Sequence, residues 1–317
     1  MPILSISNIR QLFSVDTNKE WLGLVLGFFA IAGFSVTLPA TRIAVSHLDP
    51  TFVGLGRSLF AAIPAVGIIL WMSIAIPTRK QWLSIALVMF GVVISFPWLT
   101  SIAMQNVSGA QGGIVVSILP LFTAIAGALL LRQRPSLGFW LVAALGSALV
   151  LIYLLWSRDG EMQSSEMILL GASMLCAIGY AEGGKLAREM GGVAVISWAI
   201  VLSVPFTLLP VIYHWDNSIW DSAMISLSSG EQWQGWAAFV YVSFISQWLA
   251  FVFWYQGLAM GGVIRVSQVQ LIQPFLTLFV SALLLGESIS FIMIGFAAAV
   301  VLSVAVSRRM PIYSHRL

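Results

Sequence analysis

The sequence predicts an all-α integral membrane protein in which ten transmembrane helices form two inverted five-helix repeats. Three observations lead there. Of 317 residues, 59% are hydrophobic and 9% charged, whereas soluble domains carry about a quarter charged residues. The apolar residues gather into runs of ~20, the length that crosses a bilayer as a helix. The chain also repeats itself: shifted by 154 positions, Pro274 falls on Pro120, Thr277 on Thr123, Trp236 on Trp82, and Ala282 to Leu285 on Ala128 to Leu131. Similarity at a fixed offset marks a duplicated unit.

Residues 1–20 form an N-terminal cytoplasmic or interfacial segment. Arg10, Asp16, Lys19 and Glu20 interrupt it, so it lacks the apolar core of a cleaved signal peptide. Ile6, Ile9, Leu12 and Phe13 fit one face of a short interfacial helix, and a disordered tail is the alternative. Spans follow near 21–41, 51–76, 81–103, 109–131 and 137–156, making a first repeat over 21–156. A second set near 166–186, 193–213, 235–259, 263–285 and 289–306 makes the repeat 166–306, with 307–317 as a cytoplasmic tail. Most connections are short, so successive helices are antiparallel neighbours; only 214–234 is a substantial loop.

Lys and Arg set the orientation. With both termini in the cytoplasm, the inner side receives Arg10, Lys19, Arg79, Lys80, Arg132, Arg134, Lys185, Arg188, Arg265, Arg308, Arg309 and Arg316, and the outer side only Arg42, Arg57 and Arg158. Because five helices per repeat is an odd number, the second repeat enters the membrane upside down. The aligned segments after the shared Ala-Leu-Leu-Leu agree: Arg132-Gln133-Arg134 lies inside, Gly286-Glu287-Ser288 outside. In the front of each half a shift of 146 pairs Arg42 with Arg188 and Pro64 with Pro210.

The Pro-containing fourth and ninth helices ending in Ala-Leu-Leu-Leu, the Gly286-Glu287 that follows, and Asp49-Pro50 leading to Arg57 carry a resemblance. On these residues and the ladder of ten spans, the chain resembles the drug/metabolite transporter superfamily, specifically its EamA-type members. The resemblance covers the whole chain after the N-terminal segment. It implies transport of a small molecule, often outward, among cargoes that range over amino acids, nucleobases, sugars and toxic compounds. The four-helix relatives in this superfamily place a proton-binding glutamate in their first helix. Residues 21–41 contain no acid, so proton antiport does not carry over.

Inverted-repeat carriers bind cargo near the midplane, where helices are interrupted. Pro120 and Pro274 sit mid-span, each lacking the N–H that would bond the carbonyl of Val116 or Gln270. They are candidate hinges, with a packing kink as the alternative. The third helix presents Trp98, Ser101 and Gln105, and the eighth Gln247, Phe251, Trp254 and Tyr255, at helical spacing. Gln270, Gln273 and Thr277 add a polar stripe around Pro274, where stranded amides are costly in lipid; helix-to-helix hydrogen bonding is the competing explanation. Arg57 lies roughly 9 Å inside its span. Three arrangements suit it: snorkelling, pairing with Asp49, or holding a substrate carboxylate. Glu182 is the acid nearest the interior of a span and the candidate for proton coupling, although its spacing to Lys185 and Arg188 also fits an ion-pair cluster.

Other function classes find less support. His47, His214 and His315 fall in loops or the tail, and no HExxH occurs, which leaves an intramembrane enzyme without its acid–base or metal groups. A channel would need selectivity rings or a filter loop. No Walker loop occurs, so neither ATP nor another cofactor is expected. The formal charge of +3 makes no case for nucleic acid, and Cys176 alone forms no intramolecular disulfide. The expectation is a carrier of a small amphipathic metabolite such as an amino acid, moved outward across the inner (plasma) membrane. The lipid bilayer is its solvent, and monomer and homodimer are both open.

Overall fold

The computed structural model describes residues 17–130, 133–156, 164–214, 233–261, 266–309 and 312–314. The helical rods are numbered in chain order. α1 is Thr17–Val45 and α2 Pro50–Trp71. α3, over Arg79–Ala103, contains a π-helical segment, Met89–Ser95. α4 is Gly109–Val116 and, after a turn at Ser117 and Ile118, Leu119–Leu130. α5 is Leu137–Trp156, α6 Ser164–Met190 and α7 Gly192–Tyr213. α8 joins Trp233–Val240, a π segment Tyr241–Leu249 and Ala250–Gly261. α9 opens as a 3-10 helix, Ser267–Ile272, and continues as Gln273–Leu285; α10 is Phe291–Arg309. Among the described residues, seven helices are long and apolar enough to cross a membrane, with Gln273–Leu285 and Phe291–Ser303 as shorter apolar helices.

Several elements differ from what hydropathy suggests. The segment 1–16, Arg132, Arg158, Arg265, Arg316 and most of the loop 214–234 lie outside the described residues. α2 stops at Trp71, short of 76, because Ser73 takes a left-handed φ of 49° and the Ile74 N–H bonds back to the Ile69 carbonyl at 3.0 Å. An all-α expectation also misses one small ribbon. β1, Gln133–Pro135, pairs antiparallel with β2, Ile312–Ser314, in the register Gln133 to Ser314 and Pro135 to Ile312. The tail therefore docks on the connection after α4. Three residues carry too short an alternation to register as a strand.

The two halves of the chain share one core. α1 packs on α8, α2 on α7, α3 on α6, α5 on α10, and the first half of α4 on α9. Lipid removes the hydrophobic drive between helices, so close backbone approach at small residues has to supply the attraction. Glycine provides it at two places. A Cβ on Gly113 would lie 2.7 Å from Thr277 Cγ2 of α9, and one on Gly54 would lie 2.6 Å from Trp98 Cα of α3.

The end of the bundle that holds the α4 N-terminus is tied across the halves. Gly286 closes α9 in a left-handed conformation, φ 64°, which a side chain would resist. The chain then turns so that the Glu287 carboxylate accepts the Gly109 and Ala110 N–H groups, each at 2.7 Å. A carboxylate on the exposed donors of a helix start satisfies them and meets the positive end of the dipole. Beside it, Gln111 Nε2 donates to the buried Glu166, and Arg42 Nη1 donates to the Met104 carbonyl at 2.5 Å and to that of Gln105.

The glycine contacts give a measurable contrast. Gly54→Ala pushes a methyl group into backbone, and we expect it to lower the unfolding free energy in mixed micelles by about 1–3 kcal/mol. Gly67→Ala, on the same helix with nothing within 4 Å of the new methyl, is expected to be neutral or stabilising by up to about 1 kcal/mol. Equal effects of the two would show that the α2–α3 contact does not depend on Gly54.

Candidate functional site

The wide turns of the two π segments lie at matching places. Shifted by 154, Met89–Ser95 falls on 243–249, inside Tyr241–Leu249. A π turn leaves carbonyls off the regular i→i−4 ladder, and such bulges gather at functional sites. In α3 the residue four beyond Val93 is Pro97, which has no N–H to give the Val93 carbonyl. The Val93 carbonyl of α3 accepts from Ser58 Oγ of α2 at 2.8 Å and from Gln247 Nε2 of α8 at 3.2 Å, and Gln247 also reaches Ser58 Oγ at 3.4 Å. Gln247, 1% exposed, thus fastens the irregular part of one half to that of the other.

One residue earlier on the π segment of α8, Ser246 Oγ lies 2.7 Å from Thr37 Oγ1 of α1 and accepts from Arg57 Nη2 at 2.8 Å. Arg57 is 2% exposed, and its Nε has no hydrogen-bond partner. Neither snorkelling nor pairing with Asp49 describes it. Asp49 caps its own helix, accepting the Phe52 N–H at 2.8 Å, and lies 3.7 Å from His214.

These groups face a cavity with two lobes. The larger takes Phe34, Thr37 and Leu38 from α1, Arg57 from α2, Val92 and Phe96 from α3, and Val116 and Leu119 from α4. Tyr180 of α6, Ser246, Gln247 and Phe251 of α8, and Gln273 of α9 complete it. The smaller lobe runs between α4 and α9 past Ser117, Pro120, Gln270, Pro274 and Thr277. Leu38, Val116 and Gln273 line both. Arg57 is the one charged side chain among the described residues lining either lobe.

The prolines stand where α4 and α9 lose regularity, but their role differs from the simple loss of a bond. Each occupies the first turn of an α-helical segment, Leu119–Leu130 or Gln273–Leu285, where the missing N–H has no obligatory partner. The Gln270 carbonyl is not stranded, because the Gln273 N–H bonds to it and closes the 3-10 turn. Above the break Gly113 meets Thr277; at the break the helices part and leave the smaller lobe.

Of the residues singled out from sequence, Arg57, Gln247, Phe251, Gln270, Gln273, Pro120 and Pro274 come together at this cavity. Trp254 and Tyr255 are buried behind it. Trp254 meets Phe34 edge to face and Tyr180 at a tilt, at ring distances of 6.4 and 5.9 Å, and its Nε1 has no partner. Tyr255 donates to the Gly179 carbonyl at 3.3 Å, and its ring fills the space left by Gly183. Trp98, Ser101 and Gln105 do not line it. Trp98 is 38% exposed and only reaches Thr51 Oγ1 at 3.5 Å, Ser101 is fully buried, and Gln105 is exposed at the end of α3. Glu182 also stands apart, accepting from Ser84 Oγ at 2.6 Å and Lys185 Nζ at 3.1 Å, as the ion-pair spacing suggests.

Sequence reasoning overlooks Thr37, Ser246 and Tyr180 at the cavity. Thr37 shares a helical face with Phe34 and Leu38, and Ser246 adjoins Gln247, but isolated hydroxyls in apolar helices commonly bond back to their own backbone. Ser35 does so, to Ile31 at 2.7 Å. No group of three or more potential metal ligands occurs among the described residues.

A family model described as the EamA-like transporter family matches residues 21–155 and again 163–309. A protein of Bacillus subtilis (strain 168), named "Uncharacterized transporter YdeK", is 38% identical over 296 residues, covering 92% of this chain and 99% of its own. A solved crystal structure aligns with a TM-score of 0.59 at 17% identity, over 90% of this chain and 95% of that one, and shares the fold.

Proposed function

Because the chain belongs to the EamA-like transporter family, we propose that it is a secondary transporter moving a small amphipathic metabolite by alternating access between two inverted five-helix repeats. The observation that carries this reading is the two-lobed cavity, lined by both halves of the chain and placed where α3, α4, α8 and α9 are irregular. The matching π segments and matching prolines support a pseudo-two-fold relation of the halves, as do the cross-half packings of α1 on α8 and α3 on α6. In this reading ten helices span the membrane, 21–156 and 166–306 are the repeats, and the termini are cytoplasmic in the inner (plasma) membrane.

Two of the outer cations that run against the charge bias support that orientation rather than weaken it. Arg42 is held by carbonyls at the end of α3, and Arg57 is inside the bundle. Neither is a free loop charge of the kind that decides insertion. The ties made by Glu287, Arg42 and Glu166 then lie on the outer side and favour a form closed to the outside. A carrier loaded from the cytoplasm would start in that form, so export is the proposed direction, with amino acids as the first cargo to test.

Three measurements bear on this. A cysteine placed at Arg79 is expected to react with thiol reagents from the cytoplasm, and one at the exposed Gln105 from outside; the reverse pattern removes the orientation. In proteoliposomes, uptake is expected to saturate and to be accelerated by cargo on the opposite side. Flux linear in concentration, without that acceleration, would indicate a pore. In the same assay Gln247→Ala, which removes one of the two side-chain donors to the buried Val93 carbonyl, is expected to slow transport by about tenfold, equivalent to one hydrogen bond of ~1.4 kcal/mol. Trp98→Ala is expected to transport like the parent. Finally, Pro274→Ala restores an N–H that lets the 3-10 turn relax into α-helix. Binding is expected to persist while the initial rate falls, with a smaller effect for Pro120→Ala. Parent rates in both variants would make the prolines packing features only.

A further inference from the structure

We infer that the cargo is a small organic monoanion, a carboxylate on an apolar body, seated with its carboxylate on the guanidinium of Arg57. This rests on the transporter reading above and narrows it. A guanidinium offers five N–H donors in a planar fork matched to two carboxylate oxygens. In this protein one donor, on Nη2, meets a neutral hydroxyl, that of Ser246, and Nε meets nothing although the side chain is 2% exposed. A cation held out of water needs a counter-charge at hydrogen-bond distance.

No side chain on the described cavity wall supplies one, and the described acids whose contacts are known are engaged elsewhere. Asp49 caps α2, Glu166 takes Gln111, Glu182 takes Ser84 and Lys185, and Glu287 caps α4. The counter-charge therefore has to arrive with the cargo. The same wall carries an aromatic group, with Phe34 and Phe251 at 4.7 Å between ring centroids and Tyr180 5.9 Å from Phe251. That group suits a hydrocarbon or aromatic body.

The charge balance separates two carboxylate classes. A monoanion on Arg57 leaves the cavity neutral. A zwitterion leaves one net positive charge there, because its ammonium finds amide oxygens and hydroxyls but no carboxylate. Hence an ammonium-free carboxylate is favoured over the amino acid of the same shape, and its outward movement across a membrane negative inside is assisted by the potential.

The test uses one scaffold in three charge forms: 3-phenylpropanoate (monoanion), phenylalanine (zwitterion) and 3-phenylpropanamide (neutral), with 4-methylpentanoate as an aliphatic control. Half-saturating concentrations are read from the shift of the unfolding midpoint of the purified full-length protein, and transport from counterflow in proteoliposomes. At least one of the two monoanions is expected to bind about tenfold or more tighter than phenylalanine, and 3-phenylpropanamide to bind no better than phenylalanine. Arg57→Lys is expected to weaken the monoanion more than the amide, and Arg57→Gln to abolish the difference; should Arg57→Gln fail to fold, the wild-type ranking and Arg57→Lys still decide. Phenylalanine binding tighter than both monoanions, an amide binding as tightly as the monoanions, or no binding of either monoanion overturns the inference. Counterflow that shows no preference for carboxylates would leave the carrier standing without the anion site. Carboxylate binding without counterflow would leave the anion site and remove the carrier.

Discussion

In hydrocarbon a backbone group has no water to bond, so each departure from a regular helix must find its partner inside the protein. That constraint organises the centre of this molecule. Pro97 denies the Val93 carbonyl its usual donor beside the π segment of α3, and that carbonyl is met by Ser58 and Gln247. The irregularity thereby recruits α2 and α8 to α3. The same wide turn of α8 carries Ser246 beside Thr37 and Arg57. An apolar bundle of regular helices would need none of these polar contacts and would have no reason to leave a cavity among them.

The end of the bundle near the α4 N-terminus obeys the same rule with charge added. A helix start presents N–H groups that nothing within the helix can satisfy. Glu287 reaches across from the other half of the chain to satisfy two of them. Gly109 and Gly113 then let α4 lie directly on α9, since a Cβ at either position would meet Ser281 or Thr277 at 2.7 Å. Zipped above and parted at the prolines, the α4–α9 pair shapes the smaller lobe of the cavity.

Polar side chains in the membrane are therefore of two kinds here. Some, such as Ser35, Ser173 and Thr207, bond back to their own helix and cost little. Others reach between helices, and Arg57 stands out among them because its charge is met only by a hydroxyl. Retaining an intramembrane cation at that expense is the pattern expected of a binding group.

The all-helical membrane class and the family were legible in the sequence, since apolar run length and a duplication at offset 154 report on membrane spans and on a repeated unit. The prolines and the stripe of Gln270 and Gln273 were legible too, because an amide or a helix breaker amid apolar residues is visible without coordinates. Which polar face turns inward was not. Trp98 and Gln247 look alike in sequence, each a polar-edged residue on a long apolar helix, yet Gln247 is 1% exposed and Trp98 38%. A π turn rotates every residue beyond it, and hydropathy at a 3.6-residue period cannot register that rotation. Tertiary structure alone decided that Glu287 would cap a helix 178 residues away, and that Arg57 would meet Ser246 at a separation of 189. Such pairings depend on which helices become neighbours, and a one-dimensional pattern of polarity holds no record of that.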